Sequence, residues 1–293
     1  MHLTAQSESG KLTKLYIKPA AHAFISDEHV SGHWQTLNYL GKPDMIEALK
    51  EYAAFEAILR ENGAEVLHFP ENEAVNMDSI YCRDASIATD GGVILCNMGK
   101  DGRKAEPGAK RKAYEAMGFK ILGEIKAPGT VEGGDVAWLD EKTLAVGHTY
   151  RTNPEGIRQL SALLAPLGVN VITVPLPHYK GPSDVFHLMS ILSPVDKDLA
   201  VVYSPLMPIP FRELLLQRGV TLVEVPDSEF ESMGCNVLAM GPRNCLMVAG
   251  NPITKAGLLA AGCKVTEYKG DEISVKGGGG PTCLTRPLIR EEA

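Results

Sequence analysis

Residues 135 to 176 read DVAWLDEKTLAVGHTYRTNPEGIRQLSALLAPLGVNVITVPL. The first part, DVAWLDEKTLAVGH, predicts two short paired strands. PEGIRQLSALLAPLG predicts a helix that starts at Thr152-Asn153, and VNVITVPL predicts a further strand. The same order of hairpin, helix and strand extends in both directions from this stretch. Upstream, KLYIKP is a strand candidate. The helical run DMIEALKEYAAFEAILRENG follows, with apolar residues at three- and four-residue intervals and a stop at Asn62-Gly63. AEVLHFP is a strand ending at a proline, SIATDGGVILCNM a hairpin turning at Asp90-Gly91-Gly92, and KAEPGAKRKAYEAMG a helix. Downstream come HLMSILSPVDKDLAVVYSP, a helix around PFRELLLQRG, and TLVEVP. The last unit is CNVLAMGPRNCLMVAG, the helix NPITKAGLLAAG and CKVTEYKG. This makes about five α/β units at a period of roughly 50 to 60 residues.

No proline- or serine-rich linker interrupts the series, so residues 1–293 are expected to form one domain. The stretch 20–45 is long for a strand-to-helix connection and is a candidate lid. Its Trp34 and Tyr39 are placed either to flank a cation or to pack a surface.

The composition is 44% hydrophobic and 22% charged, enough apolar material for a sizeable core. No apolar run is long enough for a membrane span, and the amino terminus lacks a secretory h-region, so a cytoplasmic location is expected. The net charge of -7 argues against nucleic acid and fits a small cationic ligand. Homo-oligomerisation is compatible with all of this.

Six cysteines are spaced widely and without a CxxC pair, which suggests neither a zinc knuckle nor a disulfide framework. Cys82, Cys96, Cys235 and Cys245 lie in strand-like surroundings and read as core residues. Cys283 differs. It follows four consecutive glycines in KGGGGPTCLTRPL, a backbone that permits positive φ and close approach and suits a presented nucleophile. A glycine hinge before a core cysteine is the competing reading.

A thiol nucleophile needs an acid/base partner. Of eight histidines, His187 follows the loop HYKGPSDVF and begins the apolar run HLMSIL. In TVEGGDVAWL, two carboxylates flank a glycine pair and place Glu132 at a turn on the edge of the scaffold. In MDSIYCRDASI, Asp78 and Asp84 lie six residues apart, and on an extended chain both would share one face. Paired carboxylates beside a thiol suit a planar guanidinium. Arg151, before the Thr-Asn helix start, and Arg103, in a glycine-flanked loop, are candidate clamps for a substrate carboxylate.

Taken in order, DSIYCRD, EGGDV, RTN, HLMS and GGGGPTCLT resemble the motifs of the guanidino-group-modifying superfamily, which comprises arginine deiminases, dimethylarginine dimethylaminohydrolases and amidinotransferases. The resemblance runs from about residue 74 to 288. It implies a five-bladed α/β propeller (pentein) of pseudo-repeated ββαβ units. It also implies Cys283 as nucleophile, His187 as acid/base, Asp84 and Glu132 as carboxylates holding the guanidinium, and Asp78, Arg103 and Arg151 as readers of the amino-acid end. No cofactor or metal is implied. Deiminases carry an aspartate two residues after the histidine. Met189 stands there in this chain; the dimethylargininases also lack that aspartate, which leaves room for N-methyl groups. EGGD and the GGGGPTCLTRPL tail look more deiminase-like. The expected activity is hydrolysis at the guanidinium carbon through a cysteine thiouronium intermediate, giving a ureido product such as citrulline. Amidino transfer, arginine deimination and a catalytically silent binding or assembly subunit are the alternatives.

Overall fold

The computed structural model describes residues 2–292, apart from the side chain of Leu3. Its elements in chain order are β1 (His2–Thr4), β2 (Lys11–Ile17), α1 (Ala20–Phe24), α2 (Asp27–His33), α3 (Met45–Glu61) and β3 (Glu65–His68). Then come β4 (Ser86–Thr89), β5 (Gly92–Leu95), α4 (Glu106–Ala116), β6 (Ile121–Glu124), β7 (Val136–Asp140), β8 (Thr143–His148), α5 (Pro154–Leu164) and β9 (Asn170–Pro175). The chain continues with β10 (Leu192–Asp196), β11 (Leu199–Val202), α6 (Ile209–Gln217), β12 (Thr221–Glu224), α7 (Asp227–Phe230), β13 (Leu238–Gly241), β14 (Asn244–Val248), α8 (Pro252–Ala260), β15 (Lys264–Tyr268) and β16 (Thr285–Glu292).

Four blades repeat one plan. An antiparallel hairpin is followed by a helix, which returns the chain to a third strand parallel to the second. The blades are β4-β5-β6, β7-β8-β9, β10-β11-β12 and β13-β14-β15. The helical crossover is what a parallel pair requires. The fifth sheet, β1-β16-β2-β3, joins the two ends of the chain. β16 lies antiparallel to β2, while β3 lies parallel to it. The five-bladed α/β propeller is therefore closed by the strand that begins two residues after Cys283. The first unit, read as strand, helix and strand, obtains its hairpin partner from the last segment of the chain.

The helices bury one stripe each. In α5, Ile157, Leu160 and Leu164 are buried and pack with Val136, Trp138, Leu144 and Val146 of the hairpin beneath. Proline occupies the first turn of this helix and Asn153 caps it. The cap's side-chain oxygen accepts from the Gly156 amide (2.8 Å) and the Thr130 amide (3.1 Å), and its Nδ2 donates to the Pro128 carbonyl (2.8 Å).

Three local expectations are corrected. His187 does not begin a strand: a single 3-10 turn, Leu188–Ser190, separates it from β10. Asp78 and Asp84 are not on one extended run, because Met77–Ile80 is itself a 3-10 turn closed by the short-range backbone bonds of Ser79 and Tyr81. Glu132 is fully buried rather than at an edge. Stretch 20–45 is largely α1, α2 and turns. Tyr39 is buried in the main core cluster, and Trp34 packs against that cluster.

The triple use of Asn153 gives a quantitative expectation. Asn153→Ala should lose about 1–2 kcal/mol of stability. At roughly 2–4 °C per kcal/mol for a chain of this size or somewhat smaller, the thermal midpoint should fall by several degrees. Thermal denaturation followed by circular dichroism measures it. An unchanged midpoint would mean that the cap contributes nothing.

Candidate active site

Loops from different blades meet around one pocket, with about 180 Å³ open to the centres of water-sized molecules. Asp78, Asp84, Arg103, Arg151, His187 and Cys283 all line it. Six of the seven residues singled out from sequence thus share one cavity. Glu132, the seventh, stands immediately behind His187.

Cys283 is partly exposed to this pocket, whereas the other five cysteines are buried. Asn236 Nδ2 donates to its Sγ at 3.3 Å. The same Asn236, through Oδ1, accepts from the Thr282 amide (3.0 Å) and hydroxyl (2.9 Å), which fixes the loop that presents the sulfur. The glycine run serves mainly close approach. A Cβ on Gly277 would lie 1.8 Å from the Tyr81 hydroxyl oxygen, and one on Gly280 would lie 2.5 Å from Asn236. Only Gly278 of the four takes a positive φ, +75°. Burial pushes the Cys283 thiol above its ordinary value, and the negative charge of Asp84 pushes it the same way; the hydrogen bonds from Asn236 and Thr282 oppose both.

His187 Nε2 is 2.8 Å from Glu132 Oε2. Its backbone amide donates to Ser190 Oγ at 3.1 Å, so the 3-10 turn locks the ring's base. Burial alone would lower its pKa. The charges of Asp135, Asp84 and Glu132 and the hydrogen bond to Glu132 outweigh that, and the imidazole rises to about 9. For Glu132 burial pushes upward, but the hydrogen bond and charge of His187, with Arg151 and Arg103, hold it at about 2. Burial raises the neighbouring Asp135 to about 6. Asp135 is a support as well, since it accepts from the Leu188 amide (3.0 Å) and the Thr149 hydroxyl (2.7 Å). Gly134 allows the histidine ring to lie flat against the backbone, because a Cβ there would be 2.4 Å from His187 Nδ1 and 2.9 Å from Asp84 Oδ1.

The carboxylates divide into different tasks. Glu132 is fully buried, and its other oxygen accepts from the Lys100 amide at 2.9 Å. Both its oxygens are engaged, and it meets the pocket through His187. Asp84 gives Oδ2 to Arg103, while its Oδ1 is buried without a partner. An unpaired buried carboxylate oxygen at the pocket wall is an acceptor waiting for a donor. Arg103 is committed elsewhere. Its nitrogens reach Asp84, both oxygens of Glu106 (2.6 and 2.9 Å) and the Tyr81 carbonyl (2.8 Å). Arg151 has looser ties, 3.6 Å to Glu132 and 3.4 Å to the Asp184 carbonyl.

Ligand atoms of Asp84, Glu132 and His187 lie within 4.8 Å of one another, a cluster that sequence spacing did not reveal. Both Glu132 oxygens already have protein partners, the Lys100 amide and His187, and Asp84 Oδ2 is taken by Arg103. Of the three residues, Asp84 through Oδ1 is the one left to accept a hydrogen bond from a planar cation.

Sequence reasoning missed Lys100, Asp135, Glu106 and Asn236. Asp135 stood in the quoted EGGD motif. Lys100 and Asn236 are single residues whose partners are distant in sequence, so no local signal marks them; Glu106 lies only three residues after its partner Arg103, a spacing that exposed ion pairs on helices share.

Comparison with known proteins places the chain in a family. The sequence profile described as N,N dimethylarginine dimethylhydrolase, eukaryotic, matches residues 33–290. A Streptomyces coelicolor N(G),N(G)-dimethylarginine dimethylaminohydrolase is 31% identical over 214 residues, covering 73% of this chain and 75% of that one. The Pseudomonas aeruginosa counterpart is 27% identical over 251 residues, covering 85% and 92%. A solved structure of the Pseudomonas aeruginosa enzyme with citrulline superposes with a TM-score of 0.76 at 23% identity, over 95% of this chain and 99% of that one. At that identity the superposition speaks to the fold alone.

The His187–Glu132 pair has a pH signature. Relative to an unfolded histidine near 6.5, the raised pKa adds stability that is complete below about 6.5 and lost as pH rises through about 9. Relative to an unfolded glutamate near 4.3, the lowered pKa of Glu132 adds stability above that value, lost as pH falls towards about 2. Glu132→Gln should bring the His187 titration down from about 9, read by NMR of the ring protons. A titration that stays near 9 in the variant would show that Glu132 does not hold the proton.

Proposed function

The chain belongs to the N,N-dimethylarginine dimethylhydrolase family, a family of C–N hydrolases, and from that membership we propose that it uses Cys283 to hydrolyse the guanidinium of an arginine-like amino acid. The observation that carries the reading is the unpartnered Asp84 oxygen on the wall of the pocket that Cys283 and His187 share. A guanidinium N–H supplies the missing donor. It also brings a positive charge to a site whose thiol is held protonated by burial and by Asp84.

Binding of that cation lowers the cost of ionising Cys283, whose thiol proton is released to water. The thiolate attacks the guanidinium carbon and forms the S–C bond. His187, an imidazolium at neutral pH, gives its proton to the departing nitrogen as the C–N bond breaks. The S-linked thiouronium remains. Neutral His187 takes a proton from water, the hydroxide adds to the carbon, and the thiolate leaves; the proton remaining on the new oxygen passes through water to the thiolate, giving the ureido product and the resting thiol. Asp78 and Arg151 read the amino-acid end of the substrate. Glu132 and Asp135 hold the proton on His187 and keep the ring in place.

Met189 supports N-methylated arginine within this class. It is buried at the pocket wall, and its thioether accepts no strong hydrogen bond from an unsubstituted amidine nitrogen while offering apolar contact to a methyl group.

A panel of arginine, mono- and dimethylarginine, guanidino acids and agmatine tests the reading, with ureido product and released amine both measured. Dimethylarginine should yield citrulline and dimethylamine, and Cys283→Ser should lower the rate by about 10⁴-fold or more. Full hydrolysis by the serine variant would sink the cysteine mechanism. Ammonia released from arginine in preference to amines would shift the reading to a deiminase.

A further inference from the structure

Lys100 lines the pocket on the same side as Asp78, and nothing in the reaction described above uses its side chain. Its Nζ donates to Asp78 Oδ2 at 2.6 Å and to the Leu37 carbonyl at 3.1 Å. Asp78 is buried and Lys100 about one-fifth exposed, so the pair is reached from the pocket and not from open solvent. Neither charge has another ion-pair partner among the described residues. Arg103 is bound by Asp84 and Glu106, and Lys180 is held by Glu231 at 2.6 Å.

Resting on the proposed amino-acid hydrolase reading, we infer that Lys100 is a specificity-determining residue, which together with Asp78 forms a split ion pair matched to a zwitterion. A substrate that carries adjacent carboxylate and ammonium groups opens the pair without leaving either charge alone. The carboxylate takes Lys100, with Arg151, and the ammonium takes Asp78. A substrate with only one of those groups leaves a buried or half-buried charge without its partner, and that omission is costly. The selectivity for an α-amino acid tail therefore resides in two opposite charges of the protein, of which Lys100 is the one no motif marks.

The Leu37 carbonyl adds a structural consequence. Leu37, Asn38 and Leu40 line the same pocket, and the Leu40 amide donates to the Lys276 carbonyl at 2.7 Å, beside the glycine run that precedes Cys283. Lys100 thereby ties the segment after α2 to the tail-reading end of the cavity. When a substrate carboxylate engages Lys100, the ammonium remains in reach of Leu37, so the segment stays fastened over the bound ligand.

The two charges make opposite predictions when removed one at a time. The wild-type protein should turn over the α-amino acid about 10- to 100-fold better, in kcat/KM, than agmatine or the guanidino acid that lacks the α-amino group. Lys100→Met leaves Asp78 alone and should move the preference towards agmatine. Asp78→Asn leaves Lys100 alone and should move it towards the guanidino acid. In both variants KM should carry most of the change, and Lys100→Arg should restore most of the wild-type order. A role in folding alone would change all substrates together and would not produce opposite shifts. Preferences that remain in the wild-type order in both variants would overturn the assignment of Lys100 while leaving the hydrolase reading intact. Failure of the wild-type protein to turn over any guanidino compound would overturn the hydrolase reading and this inference with it.

Discussion

The site depends on one hydrogen bond, between His187 Nε2 and Glu132 Oε2 at 2.8 Å inside the protein. Burying a lone imidazolium or a lone carboxylate is expensive, and each partner here removes the other's penalty. The surplus of carboxylates, with Asp84 and Asp135 near the pair, then favours the charged histidine. In the proposed mechanism, a general acid with a pKa of about 9 keeps its proton at neutral pH until a leaving nitrogen needs it. That property comes from two propeller loops meeting, the EGGD turn before β7 and the 3-10 turn before β10. Closure of the propeller by β16 fixes the distance between those loops and the cysteine loop.

The same economy explains why most of the charged groups around the pocket are held by protein partners. Arg103 anchors Asp84, Asn236 anchors the loop of Cys283, and Asp135 anchors the backbone next to His187. Each of these supports is buried, so the reactive groups are positioned before a ligand arrives. Among the groups left without close partners at the pocket are one oxygen of Asp84, the Nε of Arg83, the partly exposed Cys283 and the guanidinium of Arg151, which has only long contacts. The proposed substrate, a cation with a charged tail, would engage the Asp84 oxygen and Arg151.

Much of this was legible in the sequence. The repeat of hairpin, helix and strand is written in local periodicity, and each hairpin and helix between residues 86 and 268 formed close to its expected place. Cys283, His187, Asp84 and Arg151 were legible because turn residues and glycines surround them in short motifs. The errors have a common cause. His187 was read as a strand start because HLMSIL is mostly apolar, yet a 3-10 turn closed by Ser190 lets the ring face Glu132. Asp78 was read on an extended run because spacing cannot distinguish a strand from a turn closed by Asn76, whose side chain caps the Asp78 amide at 2.9 Å. Lys100 and Asn236 were invisible for another reason. Their partners lie 22 and 47 residues away, and only the fold brings those groups together.

The central claim is that Cys283 forms a bond to the guanidinium carbon. Acid quenching of the protein during turnover of dimethylarginine, followed by peptide mass mapping, tests it directly. The account predicts a covalent amidino adduct on the peptide that contains Cys283, absent from the serine variant. Turnover of the same substrate with no adduct on that peptide at any quench time, and with undiminished activity after Cys283 is alkylated, would contradict it.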